Sequence, residues 1–298
     1  MVPFRPPAVA TALRESGAGV DWITISFLAA PFAASIILTG ILAYLGLHVI
    51  ERGVIFVDLA LAQIAVLGAT IAVLLQSTAG NPSTPLVFWV SLGFTFIGAA
   101  VFSAVQTHKS RIPQEAVIGI CYAVAAAAAI LAMSKARSES EHLKDMLVGN
   151  ILAVSWEQVF KTALVAAGVG AFHFVFRKTF LAISVDRERT EASGLHVAWW
   201  DFLFYASFGL VVTSSVSIAG VLLVFCYLIV PSVAAMLYSH HIGTRLAIGW
   251  AMGMIMSAIG VYLSLKLDLP TGATIICAFG VALVVMALAR PLILRRPA

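Results

Sequence analysis

The chain has 298 residues, of which 61% are hydrophobic and only 11% are charged, with a mean hydropathy of +1.02. About a quarter of the residues in a soluble globular domain are charged, so this composition excludes an ordinary soluble domain and indicates a protein whose solvent is lipid. The net charge of +4 is no sign of nucleic-acid binding, because the basic residues flank apolar segments, as they do in membrane proteins.

Apolar segments of about 20 residues, the length that a helix needs to cross a bilayer, recur along the chain. Residues 1–22 precede them and lack the apolar core of a signal peptide, so we expect an N-terminal segment outside the membrane. The predicted spans are 23–47, 53–76, 85–107, 114–134, 157–177, 199–217, 219–238, 244–265 and 271–289. They predict an all-α, polytopic membrane helical bundle with one domain over 23–290 and a short tail, 291–298.

The sixth and seventh predicted spans are separated only by Ser214–Gly220. This segment is either a true turn or part of a re-entrant half-helix, which is tolerated where protein buries it. The count is therefore about nine spans, or eight plus a re-entrant piece. With nine spans, about 11 lysines and arginines fall on one side and about 7 on the other. The richer side is expected to be cytoplasmic, so the N-terminus would lie outside and the C-terminus in the cytoplasm.

Asp58 and Gln63 are polar residues inside the second predicted span. A carboxylate within a membrane segment is costly and by default indicates a path for ions or protons. Residues 58 and 63 lie about 140° apart around a helix, so they share one face only if the helix is distorted. We expect this helix to line a route through the protein.

Two polar stretches between the spans are longer than the rest. The first begins at Ser134 and is expected outside the cell, whereas the second, 178–198, is expected in the cytoplasm. In the second, Ser184 is a candidate N-cap of a short helix that Gly194 would end in the left-handed conformation. This helix either docks on a soluble partner or is a solvated connection between spans.

The sequence lacks the common motifs of ATP binding, zinc-protease catalysis and serine-hydrolase catalysis. It contains no GxxxxGK[ST] loop, HExxH motif or Gly-x-Ser-x-Gly elbow, so an enzyme of those classes is not expected. Cys121, Cys226 and Cys277 lie singly in apolar runs and are expected to be small packing residues. Of the seven histidines only His173 lies well inside a predicted span, where we expect it to be a hydrogen-bonded packing residue.

Five strings, taken in this order and spacing, resemble the membrane permease subunits of the zinc/manganese/iron ABC importers, the ABC-3 family. The resemblance covers about residues 30–290. The strings are Glu115–Gly119 (EAVIG), Val148–Trp156 (VGNILAVSW), Glu191–Gly194 (EASG), Ala219–Ala235 (AGVLLVFCYLIVPSVAA) and Leu265–Thr274 (LKLDLPTGAT).

The resemblance implies an all-helical permease of the vitamin B12, siderophore and metal type in a prokaryotic inner membrane. It implies a complex of two permease copies and two cytoplasmic ABC ATPase subunits, which bind the ATP. It also implies an external metal-binding protein that delivers the ion. No cofactor is expected on this chain, and the divalent metal is its substrate. Glu191, Ala192 and Gly194 correspond to the helix that couples to the ATPase. Gly220 and Pro231 bound a segment that either lines or gates the pathway or simply packs in the bundle.

The chain departs from the family in its second span, which usually reads Gly-Asp-Ala-Leu-Ser-His-Ala…Pro-Gly. Gln63 falls on the family histidine and Leu59 on the aspartate, so Asp58 comes one residue early. An amide carbonyl is a harder and weaker ligand than imidazole, so no set of metal ligands is assigned. The substrate differs, or the pathway only passes an ion that the binding protein selects, or Asp58 supplies a ligand towards the partner copy.

Three functions remain open on the sequence. The first is the permease subunit of an ATP-driven importer for zinc, manganese or iron. The second is a permease for a metal chelate such as a siderophore or a corrinoid, which the missing histidine favours. The third is a proton-coupled or sodium-coupled carrier that uses Asp58.

Overall fold

The computed structural model describes residues 22–77, 84–107, 113–134 and 151–293. Residues 1–21 of the predicted N-terminal segment, the polar stretch after Ser134 up to residue 150, and residues 294–298 of the predicted tail lie outside the described residues. The α-helices are α1 Trp22–Glu51, α2 Val57–Ser77, α3 Thr84–Thr107, α4 Gln114–Met133, α5 Trp156–Val175, α6 Arg177–Val185, α7 Arg187–Ala192, α8 Val197–Ala219, α9 Val221–Tyr238, α10 Ile242–Leu267 and α11 Thr271–Ile293, with a 3₁₀ turn at Ile151–Ala153.

Within this described part every regular element is helical, and nine helices are long and apolar enough to cross a membrane. The predicted all-α membrane bundle is therefore confirmed. The nine are α1–α5 and α8–α11, whereas α6 and α7 are too short. α8 has 23 residues and α9 has 18, and they are joined at Gly220 alone. At 1.5 Å per residue α9 is about 27 Å long, which favours nine spans over eight plus a re-entrant half-helix.

The helices differ in how much of their surface the protein itself covers. α1, α2 and α8 are the most enclosed, whereas α4, α5 and α11 leave most of their apolar surface open. α2 packs between α3 and α4, α8 packs on α3 and α5, and α9 packs on α1 and α11. α1 is thus the central element of one half of the bundle, and the peripheral helices present apolar side chains outwards, as lipid requires.

Several serine and threonine hydroxyls in the spans donate a hydrogen bond to a backbone carbonyl in the preceding turn of their own helix. A polar group in a lipid-facing helix has no water to bond, so a partner within the helix removes the cost of burying it. The hydroxyls bonded to the carbonyl four residues earlier are those of Ser35, Thr70, Thr95, Ser215, Ser232 and Ser257. Hydroxyl groups therefore account for much of the buried polar surface without requiring a functional site.

Glycine lets α1 approach the backbone of α9. A Cβ atom at Gly46 would collide with the carbonyl oxygen of Leu228 and with the hydroxyl of Ser232. Ser232 Oγ donates to Ala43 O at 3.1 Å across the same contact. Small residues that allow close backbone contact are the usual basis of helix association in membranes, so this crossing is a main contact of the core.

We predict that Gly46→Ala destabilises the protein by about 1–3 kcal/mol, the usual cost of overpacking a core, because backbone atoms of α9 cannot give way to the new methyl group. Gly40→Ala is the matched control on the same helix, since no atom lies within 4 Å of its Cβ position. Unfolding of both variants in detergent measures the difference. Equal stability of the two variants would contradict the tight α1–α9 crossing.

Candidate functional site

The second polar stretch forms two short helices at one end of the bundle. α6 continues from α5, and Asp186 then separates α6 from α7. An Asp186 carboxylate oxygen accepts from Arg189 N at 3.0 Å, which caps α7. The prediction of Ser184 as the N-cap is wrong, because its hydroxyl donates to Phe180 O within α6. After α7 the chain turns at Gly194, whose φ of +84° confirms the predicted left-handed end.

Glu191, Ala192 and Gly194 all lie on the surface. None of the residues of α7 is buried, so this helix adds nothing to the apolar core. α7 packs on α6 and on the start of α8. It is therefore a polar helix held at the end of the bundle with one side free, which is the geometry that a docking helix requires.

Asp201, near the start of α8, is a fully buried carboxylate that joins two arginines. Its Oδ1 accepts from Arg52 Nη1 at 2.6 Å, and its Oδ2 accepts from Arg187 Nη1 at 2.5 Å. The Arg52 side chain is 2% exposed and that of Arg187 is 24% exposed. A carboxylate cannot be buried unpaired at reasonable cost, so the two guanidinium groups are what allow Asp201 to sit inside.

Ser184 connects Arg52 to the histidines of the bundle. Its oxygen accepts from Arg52 Nε at 2.9 Å and lies 2.9 Å from His48 Nδ1. Since the hydroxyl proton goes to Phe180 O, His48 Nδ1 is the donor in this contact. The guanidinium of Arg52 also lies over the ring of Phe204, 4.0 Å from its centroid. Arg52 is thus held by charge, hydrogen bonding and an aromatic face.

His48 and His173 lie next to Tyr44 in the interior. The ring centroids of the two histidines are 6.3 Å apart. His173 Nε2 lies 2.8 Å from Ser207 Oγ, which confirms His173 as a hydrogen-bonded packing residue. His48 is also inside a helix, because α1 continues to Glu51, but it lies in the last turn of that helix. His48 Nε2, His173 Nδ1 and the Tyr44 hydroxyl have no hydrogen-bond partner among the described residues.

Glu51, the residue before Arg52, makes a second ion pair at the same end of the bundle. Its Oε1 accepts from Arg245 Nη1 at 2.5 Å, while Arg245 Nε donates to Ser239 O at 2.8 Å. This pair attaches the end of α1 to the start of α10. It also shows that α8 and α10 both begin at this end, so the chain between them crosses the bundle and returns.

Asp58 and Gln63 lie on α2, and both are buried. Asp58 is the second residue of the helix, where the helix dipole favours an anion. Its Oδ1 has no hydrogen-bond partner among the described residues. α2 is an unbroken α-helix, so Asp58 and Gln63 point about 140° apart. Leu59, the position of the family aspartate, is half-buried between them.

Gly220 and Pro231 lie in the enclosed part of the bundle. Gly220 has a φ of +77°, a value that other residues rarely adopt, and it forms the whole link between α8 and α9. Pro231 is inside α9, where it removes one backbone hydrogen bond. Gly249 of α10 packs against Pro231, with its Cβ position 3.4 Å from Pro231 O. Both residues are thus buried inside the bundle.

No group of three or more His, Cys, Asp or Glu side chains comes together as a metal-ligand set in the described part of the chain. The pair His48 and His173 with Tyr44 is a smaller set of donors. Arg52 shares Ser184 with His48 and brings a positive charge beside it, which opposes a cation there. We therefore assign these three rings to packing.

Sequence reasoning missed the most connected polar group of the structure. Asp201 lies inside the predicted span 199–217, so the signal that singled out Asp58, a carboxylate in an apolar segment, applies equally to Asp201. Its partners were beyond reach, because Arg52 and Arg187 are 149 and 14 residues away along the chain. Both arginines counted only as cations flanking spans.

The model of a family described as "ABC 3 transport family" matches residues 24–290. The chain is similar to the "Manganese transport system membrane protein MntC" of Listeria innocua serovar 6a, at 30% identity over 65% of this chain and 71% of the relative. It is similar to a "Probable iron transport system membrane protein" of Haemophilus influenzae, at 27% over 86% and 92%. It is also similar to the "Chelated iron transport system membrane protein YfeC" of Yersinia pestis, at 27% over 61% and 62%.

Among solved structures, the chain is similar in fold to a chain of "PsaBC from Streptococcus pneumoniae in complex with Fab". The TM-score is 0.74 at 22% identity, with 94% of each chain covered. Agreement over nearly the whole length at this low identity is a statement about the fold. It confirms the expected permease architecture for the bundle described above.

We predict that Arg52→Gln destabilises the protein by about 3 kcal/mol, because removing one partner of a buried ion pair leaves the other charge uncompensated. Chemical unfolding of the detergent-solubilised protein measures the effect. Lys161→Gln is the control, since the Lys161–Glu157 pair on α5 is largely exposed and its loss should leave stability unchanged. A similar stability of both variants would show that Asp201 is adequately neutralised by Arg187 alone.

Proposed function

Because this chain belongs to the ABC 3 transport family, we propose that it is the membrane permease subunit of an ATP-driven importer for a divalent metal ion. The observation that carries the proposal is the family match over 24–290, which includes all nine potential spans. The manganese and iron named for its relatives make these two ions the first candidates, and zinc remains a third. The metal is substrate, not a resident cofactor.

The energy for transport comes, in this proposal, from ATP bound on a separate cytoplasmic ATPase. The sequence contains no P-loop motif of its own. Glu191, Ala192 and Gly194 lie exposed on and just after α7, which supports their role as the contact with that ATPase. The end of the bundle that carries α7 is then cytoplasmic, as the count of basic residues predicts.

Two further partners belong to the proposal. A second permease copy would complete the pathway, and the open apolar faces of α4, α5 and α11 offer surface that lipid or a second copy can cover. An external metal-binding protein would deliver the ion to the other end of the bundle. The protein is then a multi-pass component of a prokaryotic inner membrane with its N-terminus outside.

α2 is our candidate for the helix that lines the route. The buried carboxylate of Asp58 has an oxygen with no hydrogen-bond partner in the part of the chain that the structure describes, and Gln63 places an amide in the interior about one and a half turns later. Leu59 separates the two and provides no ligand. Gly220 and Pro231 supply the backbone breaks at which α8 and α9 would bend when the route opens.

A permease for a chelated metal is the second candidate. The relative named for chelated iron transport favours it, and so does the replacement of the family histidine by Gln63, which removes the imidazole that a free ion would bind. Uptake of free and chelated iron compared in one preparation separates the two candidates. The proton-coupled carrier loses its support, because the matching family is one of ABC transporters.

We predict that the chain co-purifies with an ABC ATPase subunit and, in that complex, imports radioactive manganese(II) or iron(II) into proteoliposomes only with ATP. Reversing the charge at an exposed docking residue, Glu191→Arg, should lower co-purification and uptake by at least about tenfold, the effect of one interfacial charge contact. Glu157→Arg, at the opposite end of the bundle, should change neither. Normal import by the Glu191 variant would contradict docking through α7.

We predict that Asp58→Ala lowers metal uptake more than Gln63→Ala does. A carboxylate attracts a divalent cation more strongly than an amide does, and one Asp58 oxygen makes no hydrogen bond to any residue that the structure describes. Asp58→Asn, which keeps the shape and removes the charge, should behave like Asp58→Ala, and Gln63→His tests whether the family ligand raises uptake. Near-normal uptake by both alanine variants would reject a metal contact by this helix.

A further inference from the structure

α7 is not attached to the rest of the protein by buried hydrophobic side chains. It has six residues, none of them buried, and a helix of this length is not stable by itself in water. The Asp186 cap and the Thr190 hydroxyl bonds stabilise α7 only internally. Something other than hydrophobic packing must therefore fix the position of α7 relative to the membrane helices.

Arg187 provides that attachment. It is the first residue of α7, and its guanidinium bonds the buried Asp201 carboxylate of α8 at 2.5 Å. Hydrogen bonds between charged groups are shorter, stronger and more directional than neutral ones. The ion pair therefore defines the distance and the angle between α7 and α8, whereas an apolar contact would let α7 slide.

The chain of contacts that begins at α7 continues beyond Asp201. Its other oxygen bonds Arg52, which follows the last residue of α1, and Arg52 Nε bonds Ser184 of α6. The adjacent Glu51 bonds Arg245 of α10. A displacement of α7 thus reaches α8 and the end of α1 through two consecutive ion pairs. It reaches α10 through a third ion pair, which begins at Glu51, the residue before Arg52.

We infer that Asp201 is a positioning residue that transmits movement of the coupling helix α7 to the membrane helices. The inference rests on the proposed function, because a partner ATPase must move α7 for any transmission to occur. Burying one carboxylate and two guanidiniums is costly, and apolar replacements of such groups often increase stability. The cluster is accordingly kept for the geometry that it imposes when the ATPase changes state.

The test compares arginines of α7 in the complex of the permease with its ATPase, reconstituted in proteoliposomes. In Arg187→Gln the ATPase should still co-purify and hydrolyse ATP, while manganese(II) transported per ATP falls by at least about tenfold, the effect of losing one charged hydrogen bond. Arg187→Lys keeps the charge and should stay within about threefold of the wild type. Arg189→Gln, on the same exposed helix, should leave the ratio unchanged.

A double-mutant cycle links the effect to Asp201. Asp201→Asn also weakens the bond to Arg52, so it should reduce transport per ATP at least as much as Arg187→Gln does. The double variant should show no loss beyond that of Asp201→Asn, since the charged contact with Arg187 is already gone. If Asp201→Asn does not fold, the two Arg187 variants decide the matter. Thermal unfolding of each complex separates lost stability from lost transmission, because transmission alone changes the amount of metal moved per ATP.

Four results would overturn the inference. They are an unchanged ratio in Arg187→Gln, an equal loss in Arg189→Gln, additive losses in the double variant, and failure of Arg187→Gln to bind the ATPase, which would make Arg187 a docking contact. Failure of the proposed function is seen elsewhere, in a wild-type complex that imports no metal with ATP. The inference would then fall with it, before any variant is compared.

Discussion

A carboxylate without any exposed surface must be neutralised, and the way in which Asp201 meets this requirement organises one end of the bundle. Each of its two oxygens accepts from a different arginine. Along the chain, Arg52 comes before helices α2–α5 and Arg187 comes after them. A single buried charge thereby brings the end of α1, the start of α7 and the start of α8 to one point. Arg245 and Glu51 extend the same principle to α10.

The rest of the bundle contrasts with this end. There the buried polar groups are mostly hydroxyls that bond the carbonyl one turn earlier, and helices meet through glycine at points such as Gly46. Such contacts hold the helices together without long-range charge. The protein therefore consists of an apolar, closely packed bundle with a charged junction at the end where α7 lies, and a force applied to α7 meets that junction first.

This division also places the two candidate polar residues of α2 in context. Asp58 lies at the start of α2, where the helix dipole and an enclosed site both act on its carboxylate. Asp201 has both oxygens bonded, whereas one oxygen of Asp58 has no partner within the described ranges of the chain. A fully paired carboxylate is suited to transmit force and an unpaired one to meet a cation, so the two buried aspartates of this chain differ in the work that we assign to them.

The fold class, the approximate number of spans and the family follow from the sequence, because apolar length and short strings such as Leu265–Thr274 are local properties of the chain. The choice between nine spans and eight plus a re-entrant half-helix depended on the length of α9 in the structure. Span ends were predicted to within a few residues, yet the four residues by which α1 exceeds its prediction brought His48 and Glu51 into the helix. The exposed end of α7 and the turn at Gly194 were also local signals.

The charged junction could not be predicted, because its members lie far apart along the chain and each has an ordinary explanation alone. Arg52 counted as a cation beside a span and Ser184 as a helix cap, and Asp201 was not singled out at all. Only folding shows that they meet, since a buried charge is defined by its neighbours in space. The sequence by itself thus determined which segments are in the membrane, and the tertiary structure decided which of their polar groups pair with one another.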